Sequence, residues 1–266
     1  MTYLIPALIL GMCGVIAGVL LTVAAKVFHV EVDERIEKIS ASLPQANCGA
    51  CGYAGCADYA DAIITKGAPT NLCRPGGSEA AGKIAEILGT SAAEIVKMTT
   101  IVHCNGDCNA TQPAFDFDGV QSCKAAKRFY GGNGSCKFGC LGYGDCAAVC
   151  EHDAIRIENG VAKVIPALCG ACGQCAAVCP NHLISIKPAA KKTDVLCSSA
   201  ANGKTTKLAC KNGCIGCKMC EKKCPSGAIT VTDFHASIDY DKCTCCGECV
   251  SVCPVKAIHG PSSEKQ

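Results

Sequence analysis

Residues Cys169–Pro180 read CGACGQCAAVCP, and the reading of this stretch decides the fold of the chain around it. Three cysteines stand at C-x2-C-x2-C spacing, and Cys179 follows after three residues with Pro180 behind it. In such a run three thiolates wrap one 4Fe-4S cube, while the fourth cysteine ligates the other cube of a two-cluster pair. The run returns at Cys214–Pro225 (CIGCKMCEKKCP) and at Cys243–Pro254 (CTCCGECVSVCP). Structural zinc also uses C-x2-C pairs, but its pairs come two by two. These come as threes with a distant fourth, which favours iron and sulfide.

Composition agrees. A chain of 266 residues allows one to three domains. In a short secreted protein 27 cysteines would signal disulfides, but triplets so closely spaced cannot all bridge sensibly. There is no Trp, and six Tyr and six Phe stand against 28 Gly, which leaves little bulk for a conventional core. Clusters would substitute for that bulk, so the apo-chain is expected to fold poorly.

From residue 120 onward the sequence repeats. A gapless shift of 74 residues lays Cys123, Cys136, Cys140, Cys146 and Cys150 on Cys197, Cys210, Cys214, Cys220 and Cys224. It continues with Cys169, Cys172, Cys175 and Cys179 on Cys243, Cys246, Cys249 and Cys253. Such a register means a duplicated two-cluster unit. Each unit carries a hairpin, AIRIENGVAKV over Ala154–Val164 with its turn at Asn159-Gly160, and AITVTDFHASI over 228–238. One position breaks the repeat, because Tyr143 stands where the second unit has Cys217. Cys136 is the nearest replacement, and a three-iron cluster lacking that ligand is the rival outcome.

The crossed-ligand rule then assigns the cysteines. Cys136, Cys140 and Cys146 take Cys179, and Cys169, Cys172 and Cys175 take Cys150. Cys214, Cys217 and Cys220 take Cys253, and Cys243, Cys246 and Cys249 take Cys224. Upstream, LPQANCGACGYAGC places Cys48, Cys51 and Cys56 at C-x2-C-x4-C, with Cys73 in CRPGG completing a self-contained site; a structural zinc is the alternative there. The sum is five 4Fe-4S clusters. Formal charge is +2 with thiols counted neutral. Five oxidised cubes at about −2 each bring the loaded chain to about −8. Nothing points to nucleic acid. Cys13, Cys104, Cys108, Cys123, Cys197, Cys210 and Cys245 are left over. Cys104/Cys123 and Cys197/Cys210 are candidates for a bridge or a further metal, and free buried thiols are the plainer reading.

The N-terminus is of another kind. Met1–Ala25 carries no charged side chain, and LIPALILGMCGVIAGVLLTVAAKV from Leu4 to Val27 is long enough to span a bilayer. A cleaved signal would open with cations; here the first is Lys26. Lys26, Arg35 and Lys38 place the remainder on the cytoplasmic side. Gly14 and Gly18 form a G-x3-G face for another membrane helix. Val30–Leu43 and Ala57–Lys66 read as helices, and Ser91 with Glu94 caps a third ending near Lys97. The architecture expected is α+β. A transmembrane anchor occupies 1–27, a small helical 4Fe-4S domain 28–98, and two tandem two-cluster ferredoxin-like modules 99–190 and 191–266.

Nine lysines between Lys187 and Lys223 face only Asp194 and Glu221, either a solvated linker offsetting nearby cluster charge, which is the plainer reading, or a basic patch suited to an acidic electron carrier. The six histidines show no ligand spacing, and GGNG at 131–134 is a loop rather than a nucleotide fingerprint. No residue is assigned a catalytic role.

An apolar N-terminal helix, LPQANCGACGYAGCADYA with CRPGG, and tandem ferredoxin units together resemble one family. It is the B subunit of the Rnf-type ion-translocating ferredoxin:NAD oxidoreductase, in its long form. The resemblance implies a single-pass subunit of the cytoplasmic membrane that takes electrons from soluble ferredoxin. It implies delivery to other subunits of a membrane redox complex and NAD, with pumping of Na+ or H+. A soluble polyferredoxin-type carrier or reductive activator of a metalloenzyme is the alternative, and a structural zinc protein the third.

Overall fold

The structure, a computed structural model, describes residues 4–27, 33–91 and 96–260. Helix α1 runs over Leu4–Val27. Its described side chains lie between Gly11 and Val23, and Cys13 is outside them. Among the described residues no helix is long and apolar enough to cross a membrane.

A three-helix unit follows. Helix α2 (Glu34–Ser42) opens on Asp33, whose carboxylate accepts the N–H of Arg35 at 2.8 Å. The expected start of this helix at Val30 lies outside the described residues. Helix α3 (Cys56–Lys66) stops at Gly67, which takes the left-handed conformation a helix C-cap needs. Helix α4 (Gly77–Leu88) follows the CRPGG loop. Ile39, Tyr59 and Ile84 are fully buried where the three meet. The expected capped helix after Ser91 falls on residues 92–95, outside those described.

Two units of one design come next. In the first, strand β1 (Met98–Val102) leads to helix α5 (Cys123–Lys127), helix α6 (Asp145–Ala148), strands β2 (Ile155–Glu158) and β3 (Val161–Val164), helix α7 (Gln174–Val178) and strand β4 (Ile184–Pro188). In the second, β5 (Asp194–Val195) is followed by α8 (Gly203–Ala209), α9 (Met219–Lys223), β6 (Ile229–Thr232), β7 (His235–Ile238), α10 (Glu248–Ser251) and β8 (Ile258–His259). In each unit the first and last strands pair antiparallel, with Val102 opposite Ile184 and Val195 opposite Ile258. The predicted hairpins are present, with Glu158 opposite Val161 and Thr232 opposite His235. Both residues of each turn have positive φ, Asn159 and Gly160 in one, Asp233 and Phe234 in the other. That is the turn whose twist matches the strands.

Cysteine loops lean on those turns. A Cβ at Gly142 would lie 2.6 Å from the Gly160 carbonyl oxygen, and one at Gly216 would lie 2.9 Å from Phe234 Cα. With φ of +77° and +67°, only glycine fits at either place. Each unit closes around thiols as much as around aliphatic groups. Val102, Ile155, Val161 and Leu183 share the first core with Cys146 and Cys175. Val195, Ile229 and Ile258 share the second with Cys220 and Cys249.

Candidate metal centres

The helical unit gathers its four predicted cysteines. Burial, and then the thiols of Cys56, Cys51 and Cys48, raise the pKa of Cys73. Asn47, at a φ of +46°, turns the loop and accepts the N–H of Cys56 on its side-chain oxygen at 2.9 Å. The return loop is fixed by Tyr59, whose hydroxyl donates to the Pro69 carbonyl at 2.6 Å and accepts the N–H of Leu72 at 3.2 Å.

In the first ferredoxin-like unit a cavity of about 300 Å³ is lined by Cys150, Cys169, Cys172 and Cys175, the set that crossed ligation predicts. Backbone N–H groups point at its sulfurs, Ala171 to Cys169 at 3.4 Å and Ala154 to Cys150 at 3.3 Å. Burial and then the thiols of Cys48, Cys150 and Cys169 raise the pKa of Cys172, so this cavity adjoins the N-terminal site. One groove is lined by both Cys51 and Cys169. In the second unit the predicted groupings recur. Burial and the thiols of Cys214, Cys217 and Cys253 push Cys220 up to about 11. Burial and those of Cys243, Cys246 and Cys224 do the same to Cys249. Cys217 and Cys246 are exposed.

The remaining grouping departs from the sequence expectation. A cavity of about 360 Å³ is lined by Cys123, Cys140, Cys146 and Cys179, and Cys136 is not on it. Burial and the thiols of Cys140, Cys123 and Cys179 push Cys146 up to about 12. Cys123 is held there by Asp145, whose carboxylate accepts the N–H of Cys123 at 2.9 Å, the N–H of Lys124 at 3.0 Å and the Ser122 hydroxyl at 2.9 Å. Burial works against ionisation of Asp145, but these donors outweigh it and hold its pKa below the ordinary value. Tyr143, in the place of Cys217, packs edge-on against Phe117 at 5.9 Å between ring centres.

The match of Cys123 with Cys197 in the 74-residue register is therefore not a structural equivalence. Cys197 follows β5, and its sulfur accepts the N–H of Cys214 at 3.2 Å. The residue doing this in the first unit is Cys104, which follows β1 and accepts the N–H of Cys140 at 3.3 Å. The chain between Cys104 and Cys136 is longer than that between Cys197 and Cys210. The added length carries α5 and delivers Cys123. Cys136 instead lines a neighbouring cavity with Cys104, Cys197 and Cys210.

Every described cysteine is free, so neither Cys104/Cys123 nor Cys197/Cys210 is bridged. Among the described residues no group of His, Cys, Asp or Glu is close enough to hold a single metal ion. The donor sets do suit a larger group. Four thiols line each of the first unit's two cavities, and backbone N–H groups aimed at sulfur offset the negative charge of an iron-sulfur cluster.

The basic patch is smaller than its sequence suggests. Lys187 is 5 % exposed, pairs with Asp194 and donates to the Lys191 carbonyl at 2.6 Å. Tyr240 donates to the other oxygen of Asp194 at 2.7 Å. Lys191 donates to the Cys243 carbonyl. Lys192, Lys204, Lys207, Lys211, Lys218, Lys222 and Lys223 remain exposed, as do Leu208 and Met219.

Comparison with known proteins finds iron-sulfur families in each of the three units. Residues 43–75 match an Fe-S cluster family, 162–185 the 4Fe-4S binding domain and 213–257 the 4Fe-4S dicluster domain. The chain is 45 % identical to the B subunit of the ion-translocating oxidoreductase complex of Methanosarcina acetivorans, over 94 % of this chain and 95 % of that protein. It is 43 % identical to the B subunit of the Na(+)-translocating ferredoxin:NAD(+) oxidoreductase complex of Acetobacterium woodii, over 97 % and 78 %. The B subunit of the proton-translocating ferredoxin:NAD(+) oxidoreductase complex of Clostridium ljungdahlii is 35 % identical, over 97 % and 92 %.

Proposed function

Because this chain belongs to the family of B subunits of ion-translocating ferredoxin:NAD(+) oxidoreductase complexes, we propose that it is their membrane-anchored electron conduit. It takes low-potential electrons from a reduced ferredoxin and hands them to partner subunits for NAD reduction. Bound 4Fe-4S clusters supply reversible one-electron transfer, tuned by hydrogen bonds to sulfur and by exclusion of water.

The residues proposed to hold them are five sets of four. Cys48, Cys51, Cys56 and Cys73 form the N-terminal set. Cys150, Cys169, Cys172 and Cys175, with Cys123, Cys140, Cys146 and Cys179, serve the first module. Cys214, Cys217, Cys220 and Cys253, with Cys224, Cys243, Cys246 and Cys249, serve the second. Cys123 thus takes the place first given to Cys136. The observation that carries the reading is contiguity. Cys51 of the N-terminal site and Cys169 of the first module line one groove, so the two sites adjoin.

Anchoring is supported by α1. The stretch Leu4–Val27 is 24 residues with Lys26 as its one charged side chain, the run of sequence such an anchor needs, although the described part of α1 is not by itself long and apolar enough to cross. Met12, Val15, Ile16, Val19, Leu20, Leu21 and Val23 are between 54 and 71 % exposed, a surface suited to lipid or another membrane helix. Lys26, Arg35 and Lys38 favour the cytoplasmic side for the rest. The helix has neither an acid nor an arginine, so passage of Na+ or H+ falls to the partner subunits. The exposed lysines between Lys192 and Lys223, with Leu208, Met219 and Cys217 exposed in the same stretch of sequence, suit an acidic ferredoxin.

Two measurements on anaerobic membranes test this. Detergent but not high salt should release the chain, and reduced ferredoxin should bring up its cluster EPR signals before NADH accumulates. Recovery in the soluble fraction, or clusters that stay oxidised while NADH forms, would contradict it.

A further inference from the structure

Four cysteines outside those sets line one cavity between the two modules. We propose that Cys104, Cys136, Cys197 and Cys210 hold an additional 4Fe-4S cluster there, joining the first ferredoxin-like module to the second. The proposal rests on the reading of the chain as an iron-sulfur conduit.

The space enclosed with its mouth is about 480 Å³, against about 360 and 300 Å³ for those lined by the first module's two sets, so this site is no smaller than theirs. Its sulfurs converge from separate segments. A Cβ placed on Gly106 would lie 3.2 Å from the Cys210 sulfur and 3.7 Å from that of Cys104. One placed on Gly139 would lie 3.6 Å from the Cys136 sulfur. Cys136 lines the cavity together with the other three.

The backbone treats two of these sulfurs as it treats the ligands of the ferredoxin triplets. The N–H two residues on points back at sulfur in Gly106 to Cys104 and in Ser199 to Cys197, both at 3.5 Å. Ala171 does so to Cys169 and Cys245 to Cys243, both at 3.4 Å. Cys104 and Cys197 also accept the N–H groups of Cys140 and Cys214, the first cysteines of the two flanking sets. The cavity thus touches a cluster set in each module.

Its walls are pinned across the module boundary. The ring nitrogens of His103 bond the Val195 carbonyl at 2.8 Å and the Ser185 hydroxyl at 2.6 Å. Asn212 donates to the Asn105 carbonyl at 2.9 Å, and Thr111 to the Ala209 carbonyl at 2.7 Å. Four thiols brought together by a rigid frame, unbridged, two buried and two half-buried, are a donor set for a soft metal group. Cys136 and Cys210 also recover a single role. They are the one coincident pair of the repeat left outside the five sets, and here both serve one shared site.

The test is made on the full chain, purified anaerobically with its native clusters. Iron and acid-labile sulfide should each approach about 24 per chain rather than about 20, at four per cube. Cys104→Ser/Cys210→Ser should lose about four irons and about a sixth of the reduced-state EPR spin count. Cys108→Ser/Cys245→Ser should lose none. About 20 irons in the unaltered chain, with or without one zinc, would overturn the additional cluster while leaving the five-cluster conduit standing. That count decides the matter even if the double variant does not fold. Zinc throughout, with no iron or sulfide, would instead overturn the underlying reading.

Discussion

The two ferredoxin-like modules share a hairpin, a pair of closing strands and crossed cysteine runs, but they complete one site differently. In the second module the triplet loop supplies Cys217 itself, and that thiol is exposed. In the first, Tyr143 occupies the loop and turns to Phe117, while a buried Cys123 comes from a longer connection tied down by Asp145. The proposed ligand set is thus kept as a cavity rather than as a spacing. The first module, packed between the N-terminal unit and the second module, has no exposed thiol among its proposed ligands, three being buried and five half-buried. The second keeps Cys217 and Cys246 exposed, with Lys218, Lys222 and Lys223 exposed in the same run of sequence, which suits the end that meets a soluble carrier.

Removing the metal should have the largest effect, because thiols sit inside both cores. Anaerobic chelation is expected to abolish cooperative thermal unfolding of both modules, followed by circular dichroism. A transition surviving in the first module alone would show that the insertion folds it without metal. Next, Cys123→Ser should cost the first module up to about four irons, as Cys217→Ser costs the second. Unchanged iron in Cys123→Ser would make the two modules alike in some other way.

The junction comes third. Lys187→Met leaves Asp194 buried without its cation, and the expected loss is about 3–5 kcal/mol in denaturant unfolding of the holo-protein. Two separate transitions would mean that the modules had come apart. Asp145→Ala removes a charged acceptor that the second module lacks, where Met219 stands in the repeat. It should cost about 2 kcal/mol and make iron loss faster in the first module only. Tyr143→Cys should have the smallest effect. It restores the second module's sequence but, with Cys123 already in place, should leave the iron count unchanged.

Much of this was legible in the residues. The triplets, both hairpins, the N-terminal set and three of the four module groupings follow from local spacing, since a thiolate loop and a two-residue turn are short-range devices. The closing pairs β1–β4 and β5–β8 were not visible, because each joins segments far apart in the chain through a few residues with no strong alternation. The exchange of Cys123 for Cys136 was hidden by the register itself. Cys123 falls on Cys197 by an accident of length, and aligning cysteines conceals an insertion that aligning strands exposes. One signal was available. Cys104 follows MTTIV much as Cys197 follows TDVL, so strand-like residues before a lone cysteine marked the true equivalents. The buried Lys187 and the tied Lys191 carried no local mark distinguishing them from solvent-facing lysines.

Which cysteine completes the first module is read directly by iron anomalous diffraction from anaerobically grown crystals. It should place one cluster on Cys123, Cys140, Cys146 and Cys179, with Cys136 bonded elsewhere. Density joining Cys136 to Cys140, Cys146 and Cys179, with the sulfur of Cys123 free, would contradict it.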